Sequence, residues 1–107
     1  MKVFKHSNMI RGWFVGEFTP TAFSTKDCEV MLRSYKAGDS EAKHTHKVAT
    51  EITLISKGEV EMNGIRYKEG DIIVMEPGEA TDFKAITDAT NVVVKVPSVK
   101  GDKYLVD

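Results

Sequence analysis

The chain has 107 residues, 15 Lys and Arg against 16 Asp and Glu, and a net charge of −1, with both signs interspersed along its length. That length supports one domain, residues 1–107, with a single modest core, and the mixed charge offers no basic patch for nucleic acid. No apolar run is long enough for a membrane span, and Met1 to Ser7 lack the apolar stretch of a secretory signal, so the expectation is a soluble, cytoplasmic protein. A lone cysteine, Cys28, has no internal disulfide partner and suits a reducing compartment. It alternates with Val30 and Leu32, which predicts buried packing and not a reactive thiol.

In chain order, glycine and charged pairs punctuate short β-branched runs. Strands are expected at 11–18, 28–36, 42–46 and 51–56, with at most a short turn near Thr25. Met62-Asn63-Gly64-Ile65 carries the Asn-Gly signature of a type I′ hairpin joining strands 59–62 and 65–68. Further strands are expected at 72–75, 81–86 and 91–96, with Glu76-Pro77-Gly78-Glu79 as a turn. Nine or ten short strands in one domain argue for an all-β jelly roll. Runs such as Ile72-Ile73-Val74-Met75 and Val92-Val93-Val94 are apolar on both faces, so either the second sheet or a second subunit must cover them.

The chemistry concentrates between Gly38 and Gly58. Side chains alternate along a strand, so His44 and His46 face one way and both rings can reach one ion. Glu51 lies an odd number of residues after His46, which places it on the wrong face unless Lys47-Val48-Ala49-Thr50 turns or bulges. A corner there puts Glu51 opposite the histidines. His6 has no partner at ligand spacing and is read as surface. In the strand beginning at Cys28, Met31, Arg33 and Tyr35 share a face; Tyr35 is a candidate cavity residue, while Arg33 is expected to point outward. An inward Arg33 would imply an anionic substrate such as a carboxylate or phosphate.

Gly38, His44, His46, Glu51 and Gly58 match, in type and separation, the first motif of the cupin superfamily, and the chain resembles that superfamily from about Lys36 to Phe83. The second motif is partial. Gly70-Asp71-Ile72-Ile73-Val74-Met75 and Gly78 fit, Glu76 takes the usual proline place, and Thr81 stands where the final histidine ligand belongs. The resemblance implies a double-stranded β-helix, a divalent metal (iron, manganese, zinc, nickel or copper) on His44, His46 and Glu51, and pairing of barrels as homodimers.

Threonine is a poor ligand, so the implied shell keeps open positions for water or substrate, as in non-haem iron oxygenases or Lewis-acid zinc sites. Asp82 would need a bulge to replace the missing histidine, and Glu79 is weaker still. The alternative is a barrel without metal, a binder or isomerase in which His44 and Glu51 move protons. Glu51, Tyr35 and Thr81 are the candidate catalytic residues, Phe83 a barrel-lining one, and the partner a small organic acid or sugar derivative. The tail, Val99 to Asp107, could cover the barrel mouth or cross to a partner.

Overall fold

The computed structural model describes residues 1–107. Its strands are β1 (Trp13–Val15), β2 (Glu29–Tyr35), β3 (Ser40–Thr45), β4 (Thr50–Lys57), β5 (Glu59–Met62), β6 (Ile65–Lys68), β7 (Ile72–Met75), β8 (Ala80–Ala85), β9 (Ala89–Val96) and β10 (Tyr104–Leu105). They form two five-stranded sheets, ordered β1-β2-β9-β4-β7 and β10-β3-β8-β5-β6, with every neighbouring pair antiparallel. The expected all-β jelly roll is the fold observed.

The β5–β6 hairpin turns at Asn63 and Gly64, both at positive φ (51° and 77°), with Met62 opposite Ile65. That is the geometry a two-residue type I′ turn requires. Gly58, at φ 86°, admits no other residue, because a Cβ there would strike the backbone carbonyl of Asp88. The first strand is shorter than expected, three residues and not eight, since Arg11 and Gly12 before it take positive φ and break the extended path. The helical content is one 3-10 turn at His6–Asn8, while near Thr25 the side-chain hydroxyl accepts from the Asp27 N–H in a local turn.

Register explains how the interior divides. On the first sheet the inward residues form rows across the strands: Glu51, Lys95 and Glu29; then Thr53, Val93, Met31 and Trp13; then Ile55, Asn91 and Arg33. On the second sheet His44 faces Thr81, Glu41 faces Phe83, and Val60 faces Ala85. One end of the barrel is thus apolar. Tyr35, Ile55, Val60, Met62, Phe83, Ala85 and Ala89 make the buried core, with the Tyr35 and Phe83 rings 4.7 Å apart. Ile55 and Val60 are fully buried, each contributing about 1.5–3 kcal/mol of hydrophobic stabilisation. The other end is polar and open.

The outer face of the first sheet is also apolar, as the sequence pattern foretold, but the second sheet does not cover it. Ile72 is 64% exposed, Val74 50% and Leu32 39%. Cys28 is only partly buried and precedes β2, which corrects the expectation of a core thiol.

Candidate metal centre

His44 is the penultimate residue of β3 and His46 follows the strand, both buried and facing inward across the barrel from Glu51 on β4. One ligand atom from each of the three lies within 4.8 Å of the others, and His46 Nε2 is 3.3 Å from Glu51 Oε1. Two donors each bound at about 2.1 Å to one ion sit roughly 3–3.4 Å apart, so the His46–Glu51 pair is at chelating spacing and the cluster as a whole would close slightly around an ion. The residues therefore fit a divalent cation. Thr81 is buried beside His44, in the register the second motif implies, but its hydroxyl donates to the Asp82 carbonyl at 2.7 Å. The protein offers three ligands there. Asp82 faces away and accepts from the Asn63 N–H, and Glu79 is exposed, accepting from the Glu76 N–H.

Both rings are oriented through Nδ1. His44 Nδ1 lies 3.2 Å from the Ala42 carbonyl, and His46 Nδ1 donates to the carbonyl of Asp102. Each arrangement leaves Nε2 for the ion, the way outer-shell carbonyls fix a ligand's tautomer. The corner expected between His46 and Glu51 is present, and its cause lies far along the chain. The buried Asp102 carboxylate accepts from the backbone N–H groups of Lys47, Val48 and Ala49, at 2.8–3.2 Å. Collecting three consecutive N–H groups on one carboxylate bends the chain, and this bend brings Glu51 onto the histidines' side. The tail then pairs with β3, Tyr104 opposite Thr45, so it closes the barrel's edge. It lies along that edge, and Lys103 before it lines the cavity.

The electrostatics follow from these contacts. Burial disfavours charge on His44 and pulls its pKa below 6.5, while the hydrogen bond that His46 donates to Glu51 raises that of His46 against the opposing effect of burial. Burial by itself would raise Glu51, yet its bond to His46 and the charges of His46, Lys95 and His44 together hold it below its ordinary 4.5. Asp102 is lowered likewise, the three N–H bonds outweighing burial. Without metal, a proton on His46 makes the ion pair that the cation would replace.

The cavity above the centre has a volume of about 250 Å³. Arg33 lines it, which corrects the outward orientation expected of that residue, and its guanidinium lies 4.8 Å from the Tyr35 ring centre. Tyr35 donates to Glu41 at 3.4 Å; burial first, and then the Glu41 charge, push its pKa well above the ordinary value of 10. It stays protonated, a donor. His6 is exposed as expected, with Nε2 2.7 Å from the Leu32 carbonyl. Sequence reasoning missed Lys95, Asn91, Arg11, Trp13, Lys103 and Asp102 at the site. The alternation Asn91, Val93, Lys95 was a usable signal for two of them.

Two facing antiparallel sheets, plugged at one end and carrying an inward His-His-Glu cluster at the other, define a double-stranded β-helix protein with a candidate metal site. No family model matches the chain, and no curated protein matches it. Solved structures do. An uncharacterized conserved protein with a double-stranded β-helix domain from Klebsiella pneumoniae is 27% identical with a TM-score of 0.69, over 78% of this chain and 77% of that one. A cupin protein from Bacteroides fragilis is 22% identical (TM-score 0.61, 75% and 74% covered), and the DMSP lyase DddQ from Ruegeria pomeroyi is 20% identical (TM-score 0.64, 77% and 44% covered). The chain shares the double-stranded β-helix fold of these proteins, and its first motif resembles that of the cupin superfamily.

Proposed function

We propose that the protein is a metal-dependent enzyme acting on a small organic acid or sugar derivative, with His44, His46 and Glu51 holding one divalent cation. The observation that carries this reading is the three-ligand cluster: its donor atoms lie within 4.8 Å of one another, its rings are oriented from behind, and Thr81 leaves coordination positions facing a cavity. A bound cation would polarise a substrate oxygen as a Lewis acid or carry oxygen chemistry. The chain's own residues define what surrounds it. Lys95, cross-strand from Glu51, is held by Glu29 at 3.4 Å and lies 4.9 Å from the Trp13 ring centre, which fixes a positive charge beside the centre. Tyr35 donates a hydrogen bond and does not act as a base. Enzymes are among the proteins that share the fold. The competing reading, a binding module without turnover, uses the same cavity.

The deciding experiment is elemental analysis of protein purified without chelator, beside His44→Ala and His46→Ala. About one ion per chain, lost in both variants while the barrel still unfolds cooperatively, is the expected result, because the apolar plug lies at the other end. Turnover of organic acids or sugars by the loaded protein then separates enzyme from binder. Absence of metal after anaerobic loading with iron, manganese, nickel and zinc sinks the proposal.

We also infer a homodimer formed by the exposed apolar face of the first sheet. Ile52, Leu54, Val92 and Val94 are its centre, and Leu32, Ile72 and Val74 its exposed margin.

A further inference from the structure

Strand β3 carries an irregularity that aims a side chain. Glu41 pairs with Phe83 and His44 with Thr81, so three steps along β3 are matched by two along β8, and Ala42 and Lys43 together face the single residue Asp82. This is a β-bulge. In a regular strand Glu41 and His44, an odd number of residues apart, would point to opposite faces. Here Ala42 and Lys43 are both exposed, whereas His44 is buried and Glu41 lines the cavity beside it. The Ala42 carbonyl within the bulge is also the one that lies against His44 Nδ1. One extra residue therefore orients a ligand ring and turns a second carboxylate into the cavity.

Glu41 holds the next inward position after His44, about 7 Å along the strand, which leaves room for a small molecule between it and the centre. Two inward residues of β2 reach it across the barrel: Tyr35 donates to Oε2 at 3.4 Å, and Arg33 lies 3.8 Å from Oε1. Both contacts are long, so they aim the carboxylate and leave it lone pairs to accept a proton. Its chemical role follows from the rest of the lining. His44, His46 and Glu51 are the candidate ligands. Arg11, Arg33, Lys95 and Lys103 carry only donors, and Tyr35 stays protonated. Glu41 is left as the carboxylate free to act as a base. Its side chain is 25% exposed, so a proton it takes up can trade with water at the open end.

We infer that Glu41 is a catalytic base that removes a proton from the carbon next to a substrate carbonyl, which narrows the substrate to a small oxo acid or a sugar with an accessible carbonyl form. This rests on the enzyme reading above, and it names the residue and the class of reaction. In the step, the C–H bond breaks and its proton passes to the Glu41 carboxylate. The electron pair left behind forms a carbon–carbon double bond, and the carbonyl pair moves onto oxygen to give an enolate. Reversal with a proton exchanged from water returns the substrate labelled at that carbon, so no oxidant, reductant or co-reactant enters.

The test is deuterium uptake from heavy water, read by mass spectrometry, with zinc-loaded protein and 2-oxobutyrate, 2-oxoglutarate, dihydroxyacetone, fructose and xylose. At least one of these gains deuterium beside its carbonyl faster than with zinc alone, and Glu41→Gln slows that exchange roughly a hundredfold or more. The same variant keeps its metal content and holds that compound within about threefold of the wild-type affinity by calorimetry, since the loss falls on the proton transfer and not on binding. Glu41→Asp, a carboxylate drawn back by one methylene, retains part of the exchange. The role is overturned if none of the five compounds exchanges, if exchange survives Glu41→Gln, or if metal content and affinity fall together with exchange in that variant, the mark of a carboxylate that only braces Arg33 and Tyr35. Metal held without exchange refutes the base alone, and exchange by metal-free protein that is lost in Glu41→Gln refutes the metal reading alone.

Discussion

At the residue scale, Thr81 decides how many coordination positions the protein fills. It stands directly across from His44 and inside the cavity, so Thr81→His should place a third imidazole at the centre as a fourth ligand and tighten zinc binding at least tenfold in chelator competition. Unchanged affinity would mean that position 81 does not reach the ion. The two histidines differ in a second testable way. In chelator-stripped protein, His46 has a raised pKa, so its contribution to stability is fully present below 6.5 and is lost as pH rises through the raised value. His44 has a lowered pKa, so its contribution is present above 6.5 and is lost as pH falls. Glu51, lowered from 4.5, keeps its contribution until pH drops below that value. Between pH 8 and 5.5, the Tm advantage of wild type over His46→Gln should therefore grow on acidification, while its advantage over His44→Gln should shrink. Parallel trends would contradict the pairing of His46 alone with Glu51.

At the element scale, the loop between β3 and β4 depends on Asp102. Removing that carboxylate leaves three backbone N–H groups without their acceptor, and Asp102→Ala should cost about 2–4 kcal/mol in denaturant unfolding. Metal affinity should fall roughly ten- to a hundredfold, as it does when ligand-orienting groups are lost. Asp102→Asn, which keeps one acceptor oxygen, should recover part of both. If affinity survives Asp102→Ala, Glu51 is placed by something other than this loop. The histidine pair and the need for a corner were legible from the two-residue period of a strand, and the hairpin from Asn63-Gly64. The agent of the corner was not, because an aspartate more than fifty residues away carries no local signature. The inward turn of Arg33 was visible in its shared face with Met31 and Tyr35; what misled was the habit of placing arginines outside, which an open polar barrel end overrides.

At the scale of the whole molecule, the apolar outer face predicts association. Light scattering should give twice the chain mass, and Val94→Lys or Ile52→Lys, both at the centre of that face, should give a monomer that keeps its metal. A wild-type monomer across the accessible concentration range would refute the dimer. The plugged end and the open end also divide labour, since the core that stabilises the barrel shares few residues with the centre that would bind metal.

The bond between the tail and the corner has a consequence in time. Contacts between Asp102 and residues 46–49 span 53 to 56 positions, and closing so long a loop is among the slower events in assembling a β-sheet protein. The β5–β6 hairpin and the pairing of β4 with β7 close far shorter loops and can form before it. A refolding chain should then recover the strand signal of its locally paired strands first and the capacity to capture zinc later, so that metal uptake, followed by stopped flow with a zinc indicator, becomes a clock for the late stage of maturation.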